Sequence, residues 1–213
     1  MYNPPHCQEQ RTEVLHQLIR GHSLATLITL GPDGLIANHV PLILELEPEA
    51  ETLGTLRGHL SRSNSQWRDS LPAVPALAIF QGASAYITPS WYPSKDAGGK
   101  VVPTYNYVVV HAHGPLKTFE DPRLLERNVR ALTQHHEARF ANRWSVDDAP
   151  ADFIKAQLKG IIGIEIPISR LEGKWKVSQN RAPMDRQGVM DGLREVGDAA
   201  SLAMADWVAS KKD

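Results

Sequence analysis

Aromatic and hydrogen-bonding side chains are concentrated between residues 86 and 113. Four of the five tyrosines lie in this stretch, and its other ring-stacking or hydrogen-bonding residues are Ser90, Trp91, Lys95, Thr104 and Asn106. Aromatic rings stack on flat ring systems and polar neighbours donate hydrogen bonds, so the stretch suggests a pocket for a planar, oxygen-rich ligand. The alternative is an aromatic loop that fills the core of a β-barrel, and composition alone favours that alternative.

The segment from Gly58 to Trp67 has a second chemical signature. It gathers a cation, hydroxyl groups and an amide in the residues His59, Arg62, Ser63 and Asn64. A phosphate monoester is bound by charge-assisted donors of arginine or lysine together with hydroxyl or backbone N–H groups, and this segment offers all of them. An ordinary strand end followed by a short capped helix explains the same residues equally well.

A polar, basic run closes the last predicted strand at residues 174–181. At the mouth of a barrel, Gln179, Asn180 and Arg181 would contact the polar edge of a ligand. On a solvated sheet edge they would have no ligand, and the sequence leaves both interpretations open.

The residue pattern disfavours both metal binding and triad hydrolysis. His111 and His113 form an H-x-H pair, but no carboxylate or cysteine has ligand spacing nearby, so the sequence predicts no metal. A hydrolytic triad of Ser90, Asp96 and His111 is disfavoured because the chain contains no G-x-S-x-G nucleophile motif.

The elements that must position these residues follow from hydrophobic periodicity and turn signals. The predicted strands are 24–30, 35–44, 55–61, 76–80, 85–88, 101–114, 162–168 and 174–178, and the predicted helices are 14–21, 121–143, 151–159 and about 187–211. Strands and helices do not alternate regularly, which favours an antiparallel barrel with peripheral helices over a parallel sheet. We expect a single domain over residues 1–213, with a helical insertion at about 121–160.

Composition limits the classes of protein to be considered. The 213 residues are 42% hydrophobic and 22% charged, with a net charge of −1, and no apolar run is long enough to span a membrane. Cys7 is the only cysteine and the N-terminus lacks a secretion signal, so we expect a cytoplasmic protein. The balanced charge makes direct binding to DNA doubtful.

Several motifs in order make the chain resemble the PaiB family, whose members are also described as FMN-binding negative transcriptional regulators. The motifs are Ala37-Asn38-His39-Val40-Pro41-Leu42, Gly58-His59-x-x-Arg62-x-Asn64-x-Gln66-Trp67, Ala85-Tyr86-Ile87-x-Pro89-Ser90-Trp91-Tyr92, Val102-Pro103-Thr104-Tyr105-Asn106-Tyr107 and Ser178-Gln179-Asn180-Arg181, with Met1-Tyr2-x-Pro4 at the start. The family pattern commonly has a proline where Ser65 stands, and often tryptophan where Tyr105 stands.

The resemblance implies a split β-barrel similar to pyridoxamine phosphate oxidases, with FMN bound where two subunits of a homodimer meet. Within that hypothesis, Arg62, Ser63, Asn64 and Lys95 hold the phosphate. Trp91, Tyr92 and Tyr105 flank the ring. Hydrogen bonds come from Asn38, Thr104, Asn106 and Gln179, and the remaining expected cofactor-binding residues are His39, His59, Ser90 and Arg181.

Three functions are compatible with this interpretation. The first is a regulator that acts indirectly through a flavin-bound dimer, because the sequence shows no convincing helix-turn-helix. The second is an FMN-dependent oxidoreductase or flavin reductase, in which His39, His59 or His111 would shuttle a proton. A haem-binding protein ranks below both.

Overall fold

The computed structural model describes residues 1–47, 52–96 and 98–211. Its ten strands are β1 (Gln8–Glu9), β2 (Leu24–Gly31), β3 (Gly34–Pro41), β4 (Ile43–Glu45), β5 (Thr55–Ser61), β6 (Ala76–Ile87), β7 (Thr104–Gly114), β8 (Lys117–Phe119), β9 (Ile161–Pro167) and β10 (Arg170–Lys176). Its six α-helices are α1 (Thr12–Gly21), α2 (Gln66–Asp69), α3 (Pro122–Glu137), α4 (Ala151–Leu158), α5 (Pro183–Val196) and α6 (Ala199–Ser210). No helix in these described ranges is long and apolar enough to cross a membrane.

The strands form two sheets, and the chain forms two compact units. A six-stranded sheet has the order β1-β10-β7-β6-β2-β3, and a four-stranded sheet has the order β4-β5-β9-β8. Unit 1 consists of Met1–Val14, Gln81–Val110 and Glu172–Asp213, and unit 2 consists of Leu15–Phe80 and His111–Leu171. The pairings described in both sheets are antiparallel, as the sequence predicts.

The four-stranded sheet of unit 2 is built on the pairing of β5 with β9. The register runs from Thr55 opposite Pro167 to Ser61 opposite Ile161. Alternate residues of β9 are isoleucines that are completely buried, so this face of the strand is core, as predicted. β5 alternates in the same way, and its polar face carries His59.

The predicted hairpin of unit 2 forms, but its second strand is shorter than expected. β2 pairs with β3 from Leu24 opposite Pro41 to Gly31 opposite Gly34. The predicted strand 35–44 is wrong as one element, because β4 pairs with β5 in the other sheet. Pro41 cannot donate to a ladder, and the Leu42 N–H donates to the Ser23 carbonyl at 2.8 Å, so the chain changes sheets here.

Helix α3 covers β5 within unit 2. Asp121 caps it by accepting hydrogen bonds from the N–H groups of Arg123 and Leu124, which confirms the predicted start. The buried Asn128 amide donates to the Gly58 carbonyl of β5 at 3.1 Å. The helix ends at Glu137 rather than at residue 143, because its last turn closes at Ala138.

Two predictions about unit 1 and its borders are also corrected. β6 runs without interruption from Ala76 to Ile87, so the expected turn at residues 81–84 does not form. Sheet pairing along the strand overrides the local turn preference of Gly82 and Ser84. The expected C-terminal helix is two helices, because Gly197 adopts a left-handed conformation with φ of 72° and Asp198 caps α6.

Candidate functional site

The Arg62 side chain at the end of β5 is held by three acceptors. Its guanidinium donates to the Glu120 carboxylate at 2.8 Å, to the Lys159 carbonyl at 3.0 Å and to the Ile161 carbonyl at 3.4 Å. A guanidinium has five N–H donors, so two remain available for an anion. The side chain is 42% exposed, which leaves these donors accessible to a ligand.

The segment after Arg62 is ordered by its own side chains. Asn64 accepts a hydrogen bond from the Gln66 N–H at 3.0 Å, and Ser61 accepts one from the Ser63 N–H at 3.3 Å. The Trp67 indole donates to the Arg62 carbonyl at 3.2 Å. Asn64 therefore shapes the entry of α2, whereas the exposed hydroxyl of Ser63 remains free to donate.

Asn38 is tied to the same segment through Gln66. The Asn38 amide donates to the Gln66 side-chain oxygen at 2.9 Å. Gln66 is completely buried and in turn donates to the Leu27 carbonyl at 3.1 Å and to the Thr29 hydroxyl at 3.2 Å. This network fixes α2 against the β2–β3 hairpin, while the neighbouring His39 is exposed.

His59 lies on the polar face of β5 and is largely buried. Its Nδ1 has no hydrogen-bond partner among the described residues. Burial lowers the pKa of His59 below the ordinary 6.5, so the imidazole is neutral at pH 7. A neutral imidazole can accept a proton, but the predicted cofactor contact of His59 stays a prediction.

In unit 1, the Ser90–Trp91 turn lies directly against α5. Thr88 caps this turn by accepting a hydrogen bond from the Ser90 N–H. A Cβ built on Gly188 would overlap the Trp91 carbonyl, and one built on Gly192 would overlap the Trp91 indole. The two glycines thus form the surface on which Trp91 packs.

The residues that follow Trp91 are also anchored to the C-terminal part of unit 1. The Arg181 guanidinium lies 4.7 Å from the centroid of the Tyr92 ring, and Tyr92 is only 2% exposed. Ser94 donates through its N–H and its hydroxyl to the buried Asp185 carboxylate, at 3.0 and 2.7 Å. Lys95, at the end of this turn, is exposed.

The last group of predicted residues, Thr104, Tyr105 and Asn106, lies at the start of β7 and contacts the end of β10 in unit 1. The Asn106 amide donates to the Ser178 hydroxyl at 2.9 Å, and Asn106 is only 1% exposed. The Lys176 ammonium donates to the Thr104 hydroxyl and to the Tyr105 carbonyl. Lys176 therefore organises this end of β7.

Gln179 is engaged with the backbone of unit 1. Its amide donates to the carbonyls of His6 and Trp175, and its side-chain oxygen accepts from the Val177 N–H. These bonds stabilise a tight turn in which Ser178 adopts a positive φ of 62°.

An exposed aromatic pair joins β6 and β7 in unit 1. The rings of Tyr86 and Tyr105 meet edge to face with their centroids 5.6 Å apart, and Tyr105 is 59% exposed. An exposed pair of this size is suited to contact with a flat ligand or a partner. His111 and His113 lie further along β7, in unit 2, with their ring centroids 6.4 Å apart.

The structure thus gathers the predicted residues into separate groups. Asn38 joins Asn64 through Gln66 in unit 2, where Arg62 and Ser63 lie on the same segment. In unit 1, Arg181 contacts Tyr92, which follows Trp91 in the chain. Thr104 and Asn106 are held by Lys176 and Ser178 at the end of β10.

Sequence reasoning missed Glu120, Asp185 and the two glycines of α5, and it noted Lys176 only as part of the basic run at residues 174–181. Only the glycines had a signal, because two small residues four apart share one helix face.

The donor set near Arg62 fits the phosphate of a flavin mononucleotide. Two guanidinium N–H groups and the Ser63 hydroxyl are available on one accessible segment. A phosphate accepts such charge-assisted bonds readily. Antiparallel sheets with peripheral helices and this donor set are those that a split-barrel flavoprotein requires.

Comparisons with known proteins agree with that class. Residues 1–170 match the model of the family described as "Putative FMN-binding domain". The chain is 31% identical to an uncharacterised protein of Emericella nidulans, covering 95% of this chain and 94% of that protein. It is 28% identical to the protease synthase and sporulation protein PAI 2 of Bacillus subtilis, covering 99% and 98%. The chain belongs to this FMN-binding family, and the predicted PaiB resemblance and FMN cofactor are confirmed.

Solved structures share the fold at low sequence identity. The FAD and haem binding protein of Mycobacterium smegmatis aligns with a TM-score of 0.56 at 14% identity, covering 79% of this chain and 73% of that one. The flavocytochrome Anf3 of Azotobacter vinelandii aligns with a TM-score of 0.56 at 9% identity, covering 79% and 69%. The predicted split-barrel fold is confirmed.

Proposed function

We propose that this protein is an FMN-binding regulator of the PaiB type that acts without direct contact to DNA, and that Arg62 and Ser63 bind the FMN phosphate. The observation that carries the phosphate assignment is the pair of unused N–H donors on the Arg62 guanidinium. Because Lys159, Ile161 and Glu120 already hold the side chain, little further rotamer entropy is lost on binding.

Bound FMN supplies reversible hydride and electron transfer. The chain's own residues bind and orient the cofactor. Gln66 and Asn64 orient the segment that carries Arg62. In unit 1, the exposed Tyr105 is proposed to contact the flavin ring. Tyr92 and Asn106 are buried, so their proposed role is to support neighbouring residues.

The binding test compares two variants that break the same ion pair. Arg62→Gln removes the positive charge and the guanidinium donors, and we expect the dissociation constant for FMN to rise about tenfold or more, since hydrogen bonds to charged groups contribute about 1.5–3 kcal/mol. Glu120→Gln breaks the Arg62–Glu120 pair but keeps the donors, so its FMN affinity should equal or exceed that of the wild type. Equal weakening by both variants would refute the phosphate role.

FMN titration followed by quenching of flavin fluorescence measures these constants. Arg20→Gln, at an exposed position of α1, is the matched control and should bind FMN like the wild type. A wild-type protein that takes up no FMN under these conditions would refute the cofactor site as a whole.

The charge on α3 and the separation of α3 from α4 support the proposal of indirect regulation. Arg130 of α3 pairs with Glu126 at 2.8 Å and with Asp147 at 2.7 Å, so its charge is compensated. Residues 138–150 separate α3 from α4, whereas a helix-turn-helix joins its helices by three or four residues. A sequence-specific, salt-sensitive shift of duplex DNA at nanomolar protein concentration would contradict indirect action.

A homodimer is part of the proposal, because the PaiB resemblance implies FMN sites at a subunit interface. Light scattering of the FMN-loaded protein should give twice the mass of the 23.6 kDa chain. A monomer that binds FMN with full affinity would exclude an interfacial site.

A second candidate is an FMN-dependent oxidoreductase, and the shared fold with a flavocytochrome favours it. The neutral imidazole of His59 is a proton acceptor available to such a reaction. Oxidation of a reduced nicotinamide by protein plus FMN, compared with FMN alone, tests this candidate. Equal rates would exclude it.

A further inference from the structure

A cavity of about 630 Å³ lies between the start of α3 and the end of α4, within unit 2. Pro122, Leu125 and Leu158 provide apolar lining, and both leucines are buried. Arg123, Lys155 and Lys159 also line the cavity. Its volume falls in the range of small-molecule sites, which are mostly apolar with a few placed polar groups.

The charges around this cavity are not balanced. Its two acidic residues are already paired, Glu120 with Arg62 at 2.8 Å and Glu126 with Arg130 at 2.8 Å. Arg123, Lys155 and Lys159 form no ion pair with any carboxylate in the described part of the chain. Three uncompensated cations therefore surround an apolar surface, one on α3, one on α4 and one directly after the end of α4.

We propose that this cavity binds a small organic anion, with its apolar body on Leu125 and Leu158 and its carboxylate, sulfonate or phosphate against Arg123, Lys155 and Lys159. The cavity lies at the positively charged end of α3, a helix of 16 residues, which attracts an anion, and at the negatively charged end of α4, which offsets part of that attraction. Arg62 also lines this cavity, so the cavity borders the phosphate site proposed for FMN. The anion proposed here differs from FMN in its contacts with Arg123, Lys155 and Lys159.

The competing explanation is that the two lysines only stabilise α4. Lysines in the last turn interact favourably with the negative end of a helix. That role predicts lower helix stability after substitution but no change in ligand binding. An affinity measurement therefore separates the two explanations.

Anilinonaphthalene sulfonate is the probe, and its uncharged parent N-phenylnaphthylamine is the matched ligand control. Fluorescence titration of the full chain gives both dissociation constants. We expect Lys155→Gln to weaken binding of the sulfonate about fivefold, the upper end for an exposed charge pair, and to leave the uncharged parent unchanged. Lys155→Gln combined with Lys159→Gln should weaken it further, whereas Arg20→Gln should have no effect.

Three results would overturn the proposal: a sulfonate affinity that the lysine variants do not change, equal loss of both probes, or displacement of the sulfonate by FMN. The last result would make the cavity part of the flavin site. Simultaneous binding of FMN and the sulfonate supports two sites. If FMN fails to bind at all, the proposed FMN site fails, but the sulfonate titration still tests the cavity.

Discussion

Replacing Gly192 of α5 with alanine should destabilise the protein. Alanine in a helix interior is favoured over glycine by about 1 kcal/mol. Here its Cβ would overlap the Trp91 indole, and overpacking typically costs about 1–3 kcal/mol. Taking the upper end because the ring is rigid, we expect Gly192→Ala to lower the free energy of unfolding by about 2 kcal/mol.

A double-mutant cycle with Trp91→Ala isolates the cause. Without the indole, Gly192→Ala should become stabilising by about 1 kcal/mol, its ordinary helix preference. Gly188→Ala meets the Trp91 backbone carbonyl instead, so Trp91→Ala should not rescue it. The coupling between Trp91 and Gly192 should be about 3 kcal/mol, the upper end of values for residues in contact.

Urea unfolding followed by circular dichroism measures these free energies. Gly21→Ala is the matched control, since nothing lies within 4 Å of a Cβ at this last residue of α1. It should be neutral or slightly stabilising. A Gly192→Ala protein as stable as the wild type, or a destabilisation that persists in the Trp91→Ala background, would refute the packing of Trp91 on α5.

Three further predictions concern buried polar groups. Hydrogen bonds from the Arg11 side chain lower the pKa of Glu9 from 4.5 to about 2. The ionised Glu9 therefore contributes to the free energy of unfolding above pH 4.5, and this contribution is lost as the pH falls towards 2. Glu9→Gln should flatten that part of an acid-unfolding curve. Burial lowers the pKa of His59, so stability should decline as the pH falls below 6.5, where the unfolded chain gains a proton. His59→Asn should remove this decline, and an unchanged decline would contradict the assignment to His59. Asp185→Ala leaves both Ser94 donors without their acceptor, and we expect a loss of about 2 kcal/mol in urea unfolding, whereas an unchanged midpoint would contradict the contact.

Much of the local structure could be predicted because it depends on neighbours in the chain. β5 begins and ends at the predicted residues, and Asp121 caps α3 as expected. Alternation along β9 identified its buried isoleucines. These features arise from side-chain periodicity and from hydrogen bonds over two to four residues, and both can be read in sequence order.

Predictions failed where pairing with distant strands decided the outcome. The turn signal at residues 81–84 is overridden by the sheet along β6, and Pro41 divides a predicted strand between two sheets. The short strands β1, β4 and β8 had no periodicity of their own, since two or three residues cannot display one.

The sequence by itself determined the chemistry that this protein carries: motifs around Arg62, Trp91 and Tyr105 identified the FMN-binding family and the residue types that a flavin requires. Only the tertiary structure decided where those side chains point. Arg62 lies against Glu120, 58 residues away, and Trp91 packs on glycines of α5. Such contacts depend on which surfaces meet after the chain has folded, and no local pattern encodes them.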